Sequence, residues 1–72
     1  MNIFQISKKM RKIRQNQGVT QERLAILSGI SRNTVASIEL ATNKAPTLPT
    51  LAAIAKGLRC VLHVDFLPRG RQ

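Results

Sequence analysis

The stretch TQERLAILSGISRNTVASIEL, residues Thr20 to Leu40, decides the fold. Thr20 stands as a helix N-cap whose hydroxyl accepts an orphan backbone N–H, and Glu22 follows in the positive first turn of the helix dipole. Leu24, Ala25 and Ser28 share one side of the short helix so begun. Gly29 ends it in the left-handed conformation, which a residue without a Cβ adopts at no steric cost. Only Ile30 separates Gly29 from Ser31, a second N-cap, so another helix starts at once and must cross the first steeply. Ile30 and Val35 hold the N′ and N4 spacing of a hydrophobic staple. Val35 and Ile38 then face inward with Leu24 to fill the wedge between the helices, and Ala25 is small because the helices cross there. Arg32, Asn33, Ala36 and Ser37 are left on the outer face. All four are small or hydrogen-bonding, a composition for contact rather than for packing.

Upstream, Ile3, Ile6, Met10 and Ile13 recur at three- and four-residue steps, the stripe of an amphipathic helix. Its other faces carry Lys8, Lys9, Arg11, Lys12 and Arg14; Asn2 and Gln5 suit its start, and Gly18 stops it. Downstream, residues 41–46 read as a polar loop. Thr47, with Pro49 in the first turn, opens a fourth helix bearing Leu48, Leu51, Ile54, Ala55 and Leu58 and closed by Gly57 and Leu58. From Cys60 to Leu67 the period changes to two: Leu62, Val64 and Phe66 alternate with His63 and Asp65, which predicts one β-strand ended by Pro68. A lone strand leaves backbone groups unpaired, and the same strand of a second copy would satisfy them. A homodimer is therefore expected, the alternative being a strand that packs along its own domain or is partly disordered. The organisation reads as a domain over residues 1–59, a dimerisation strand over 60–67 and a loose tail over 68–72.

Twelve Lys or Arg oppose three acids, Glu22, Glu39 and Asp65, for a formal charge of +9. Such an imbalance in a small domain is the electrostatic footprint of phosphate binding. Three scattered acids, one His and one Cys provide no acid–base pair or triad, so no enzyme is expected. Cys60 and His63 read as strand residues rather than metal ligands, no cofactor is expected, and a single cysteine excludes an internal disulfide. The N-terminal residues are too polar for a signal peptide and no apolar run spans a bilayer, so no membrane association and a cytoplasmic, nucleoid-associated protein are expected. A basic first helix lying on anionic lipid or in a calmodulin-like groove competes with this reading, but Ile6, Met10 and Ile13 are needed as core by the helices that follow. RNA binding is disfavoured because Tyr and Trp are missing and Phe4 and Phe66 sit outside the basic face. A four-helix mini-bundle with no nucleic-acid role remains the bland alternative.

The residues Ile13-Arg14, Gly18-Val19-Thr20-Gln21, Leu24-Ala25, Gly29-Ile30-Ser31-Arg32, Ile38-Glu39, Leu51 and Ile54-Ala55 resemble the Cro and phage-repressor type of helix-turn-helix, the XRE family, over roughly residues 6 to 58. The resemblance implies a mainly α, lambda-repressor-like domain of four to five helices, with one C-terminal β-strand pairing across a homodimer through Leu62, Val64 and Phe66. It implies double-stranded DNA as partner, with Ser31, Arg32, Asn33 and Ser37 facing bases and Gln21, Thr34, Asn43 and Lys44 meeting phosphates. Arg32 would select guanine and Asn33 adenine. Arg14 and Glu39 occupy places where relatives pair helix one with helix three. Many relatives have Gly where Ala41 stands, so the third helix either runs longer or uses Asn43 as its left-handed cap. Leu40 replaces a usual polar residue, and Ile26 and Leu27 are either core or a protein interface. Short chains of this build resemble HipB-like and HigA-like antitoxins, which bind a toxin protein and repress their own operon; the implied function is thus a dimeric repressor, or such an antitoxin.

Overall fold

The computed structural model describes residues 3–42 and 46–63. Over them the chain forms α1 (Ile3–Asn16), α2 (Gln21–Ser28), α3 (Arg32–Glu39) and α4 (Leu48–Gly57). Each of the last three starts where its cap residue predicts. Thr20, Ser31 and Thr47 are extended, and their hydroxyls accept the N–H of Arg23, Thr34 and Thr50, three residues on. Asn2, the expected cap of α1, lies outside the described residues.

The four helices also end alike. The N–H groups of Val19, Ile30, Thr42 and Cys60 reach back five residues, to the carbonyls of Arg14, Ala25, Ser37 and Ala55. Those of Gly18, Gly29, Ala41 and Arg59 close the shorter inner bond, to Gln15, Ile26, Ile38 and Lys56. This is the Schellman arrangement, which needs a left-handed residue at its corner. Gly18 and Gly29 supply φ of 69° and 70°, whereas Ala41 and Arg59 adopt 59° and 57° against the clash of their own Cβ atoms. The third helix therefore ends at Glu39, with Leu40 as its C-cap and Ala41 as the left-handed residue that follows.

The core is Met10, Leu24, Ala25, Val35, Ile38, Ile54 and Leu58, with Ile6, Ile13, Val19, Ile30 and Cys60 packed at its edge. Leu24, Val35 and Ile38 expose nothing, as their place in the wedge demands. Their burial is worth roughly 1.5–3 kcal/mol each before entropy is counted. Leu48, expected on the apolar face of α4, is exposed instead, because it stands at the first position of the helix where the chain enters from outside. Gly57 has a packing role: a Cβ there would lie 2.4 Å from the Ser28 hydroxyl and 3.2 Å from a Leu24 methyl, so α2 and α4 approach more closely than a larger residue allows.

Residues 60–63 belong to neither helix nor strand. A ladder that pairs with a second copy has no partner within one chain. The remainder of the expected strand, with Val64 and Phe66, and the tail over 68–72 lie outside the described residues, as do Asn43 and Lys44.

Candidate nucleic-acid interface

The first turn of α3 is built to point outward. Ser31 Oγ accepts the Thr34 N–H at 3.1 Å and shares a hydroxyl contact with Thr34 Oγ1 at 2.8 Å, which fixes the turn. Arg32 and Asn33 follow the cap directly and are exposed, while Thr34, Ala36 and Ser37 are half-buried. Ser37 Oγ donates to the Thr34 carbonyl at 3.0 Å. Its proton is thereby used, and its oxygen keeps acceptor capacity. Arg32 stands at the positive end of the helix dipole, where a cation is disfavoured, and α3 has no acid in that turn. An exposed arginine in that place adds nothing to the stability of the helix.

The other end of α3 is tied down. The Glu39 side chain is fully buried and accepts from Arg14 Nε at 2.6 Å and Arg14 Nη2 at 3.0 Å, the bidentate geometry of a strong pair. Arg14 Nη1 also donates to the Val19 carbonyl at 2.8 Å, so one guanidinium joins α1, the turn after it and α3. Gln21 Nε2 donates to Glu39 Oε1 at 3.0 Å, and Arg11 stands 3.8 Å away. Burial alone would raise the Glu39 pKa. The hydrogen bonds from Arg14 and Gln21 and the charges of Arg14 and Arg11 outweigh it and hold the carboxyl below its ordinary value of 4.5.

The structure thus joins Arg14 and Glu39 as expected and adds Gln21 to the pair. Gln21, expected at a phosphate, commits one amide proton to Glu39 and keeps a second donor. Ser7 was missed from the sequence: it is buried and its hydroxyl donates to the Ile38 carbonyl at 2.5 Å, a second tie between α1 and α3. The signal was a polar residue beside Ile6 on the inward stripe of a helix. Gln17, whose Nε2 donates to the Leu58 carbonyl at 2.7 Å and clips α1 to the end of α4, had no such signal. Leu62 is half-buried. Ile26 and Leu27 are surface residues, 63% and 45% exposed, so the core alternative for them is closed.

A family profile described as Helix-turn-helix matches residues 10–62, most of the chain. The wild-type restriction-modification controller protein C.Esp1396I superposes with a TM-score of 0.77 at 34% identity, over 82% of this chain and 74% of that one. Its triclinic crystal form gives a TM-score of 0.74 at 35% identity, over 82% and 75%. A serine-to-alanine mutant of the same protein gives 0.73 at 36% identity, over 81% and 74%. No curated protein gives a significant match. Two capped helices meeting at Gly29, an outward first turn on the second and agreement with this family in sequence and fold together have one reading: the chain belongs to the XRE-type helix-turn-helix family of DNA-binding transcription regulators.

Proposed function

We propose that the protein represses transcription by occupying an imperfectly palindromic operator as a homodimer, with α3 of each copy in successive major grooves. The observation that carries this is the first turn of α3: Arg32 and Asn33 are exposed beside a fixed cap while Val35 and Ile38 lock the opposite face into the core. Arg32 reads guanine and Asn33 adenine, Ser31 and Ser37 add contacts beside them, and Gln21, Thr34, Asn43 and Lys44 hold the phosphates. Repression then needs no catalysis: a dimer seated on a promoter excludes other proteins. Dimerisation comes from antiparallel pairing of the strand around Leu62, Val64 and Phe66. The solved relatives are restriction-modification controllers rather than antitoxins, so regulation stands ahead of toxin binding, and control of restriction-modification genes is the form of it that the similarity favours.

Selection of bound duplexes from a random library tests the proposal. It should return half-sites related by two-fold symmetry, with centres about 34 Å apart or a multiple of that. Val64→Pro, which removes a ladder donor, should yield monomers in sedimentation and reduce the preference to a half-site. Asymmetric single sites, or a dimer untouched by that substitution, would count against the arrangement.

A further inference from the structure

Glu39 closes α3, and its carboxylate accepts hydrogen bonds from Arg14 and Gln21. Arg14 alone neutralises that charge, so Arg11 is a surplus cation beside it. Arg11 approaches Glu39 Oε1 through Nε at 3.8 Å, too far for a hydrogen bond, and its side chain is half exposed. Glu39 is the only acid within ion-pair reach of Arg11 among the described residues. Gln21 Nε2 lies 3.0 Å from the same oxygen. A carboxylate only accepts, so the Gln21 amino group is turned toward it and keeps one further N–H. Two donors from separate helices thus flank one buried oxygen. They stand no more than about 7 Å apart, a gap that the oxygens of one phosphate bridge when each donor is met at about 2.8 Å.

We propose that Arg11 joins Gln21 in holding one backbone phosphate of the DNA, with the buried Glu39 carboxylate as the post between the two donors. Gln21 belongs to the function proposed for the protein, on which this assignment rests; Arg11 is the residue added. Because Arg14 supplies the counter-charge of Glu39, Arg11 leaves the site one positive charge in excess. With Arg32 at the bases, Glu39 lies about 10 Å along α3. That is within the roughly 12 Å width of the major groove, so the two donors reach the phosphates that border it.

Arg11→Gln keeps most of the side chain's length and removes its charge. It should retain the melting temperature and helical circular dichroism of the wild type, and weaken binding to the selected duplex by about tenfold or more. The salt slope should fall by about one for each copy bound, and Arg11→Lys should keep it. Single phosphates of the duplex are then replaced in turn by uncharged methylphosphonates. One position in each half-site should emerge at which neither Arg11→Gln nor Gln21→Ala costs further affinity. An unchanged slope in Arg11→Gln would overturn the proposal, and so would effects of the two variants that vanish at different phosphates. So would a melting temperature lowered as far as in Glu39→Gln, because Arg11 would then serve the buried pair. A phosphate contact is blind to sequence, so the slopes are also compared on a random-sequence duplex, where a failure of base reading by α3 leaves the comparison standing. A wild type that binds neither duplex at low salt would sink the functional reading and this assignment together.

Discussion

The Glu39 carboxylate has no exposed surface, yet it stays charged because three donated hydrogen bonds converge on it from Arg14 and Gln21. Replacing it by Gln leaves Arg14, itself nearly buried, without a counter-charge. The cost should be about 3 kcal/mol, comparable to the whole net stability of a domain of this size, roughly 3–5 kcal/mol. Its pH dependence has a definite sign. The folded-state pKa lies below 4.5, so the stabilisation is complete above the unfolded-state value and is lost as pH falls through the folded-state value. Urea midpoints of the wild type should show no loss from Glu39 between about pH 7 and pH 5 and an acid decline that is shallower in Glu39→Gln; a loss under about 1 kcal/mol at neutral pH would deny the pair its role. The Arg14–Glu39 pairing was legible through family resemblance alone. Gln21 joined it unforeseen, because contacts between residues on separate helices leave no periodic trace.

At the scale of elements, helix starts were legible and helix ends were only half so. Thr20, Ser31 and Thr47 announce themselves as caps, and Gly18 and Gly29 announce left-handed corners. Ala41 and Arg59 occupy the same corner with a Cβ, and nothing local in the sequence marks them. Ala41→Gly and Arg59→Gly should each raise stability by about 0.5–1 kcal/mol, since they remove that clash at some cost in unfolded-chain entropy. In a domain this small that is a rise in melting temperature of roughly 4–8 °C per kcal/mol. A lower melting temperature for both variants would show that the strain is not there. Gly57 is the converse case: it ends α4 as read from the sequence and also serves close packing. Gly57→Ala should destabilise by about 1–3 kcal/mol through overpacking. Adding Ser28→Ala, which removes the clashing hydroxyl, should restore part of the loss. That hydroxyl is buried with no hydrogen-bond partner among the described residues, so Ser28→Ala alone should cost little or stabilise. Equal losses in the single Gly57 variant and the double variant would place the contact elsewhere.

For the whole molecule, a charge of +9 and the helix-turn-helix spacing make the binding class legible in the sequence. An open apolar groove between α1 and α4 was not legible, because it depends on how two distant helices are spaced around a shared core. In the proposed function, distributed Lys and Arg supply affinity that falls with salt, and the first turn of α3 supplies choice of sequence. Arg32 stands apart from the core and against its helix dipole, so its removal should leave the fold intact. The most direct test is titration of wild type, Arg32→Ala and Lys44→Ala against the selected operator and a scrambled duplex at several salt concentrations. Arg32→Ala should lose about 1–3 kcal/mol on the operator alone and relax selection at one base pair, whereas Lys44→Ala should weaken both duplexes alike and lower the salt slope by about one. Equal loss by Arg32→Ala on operator and scrambled DNA would contradict base reading by α3.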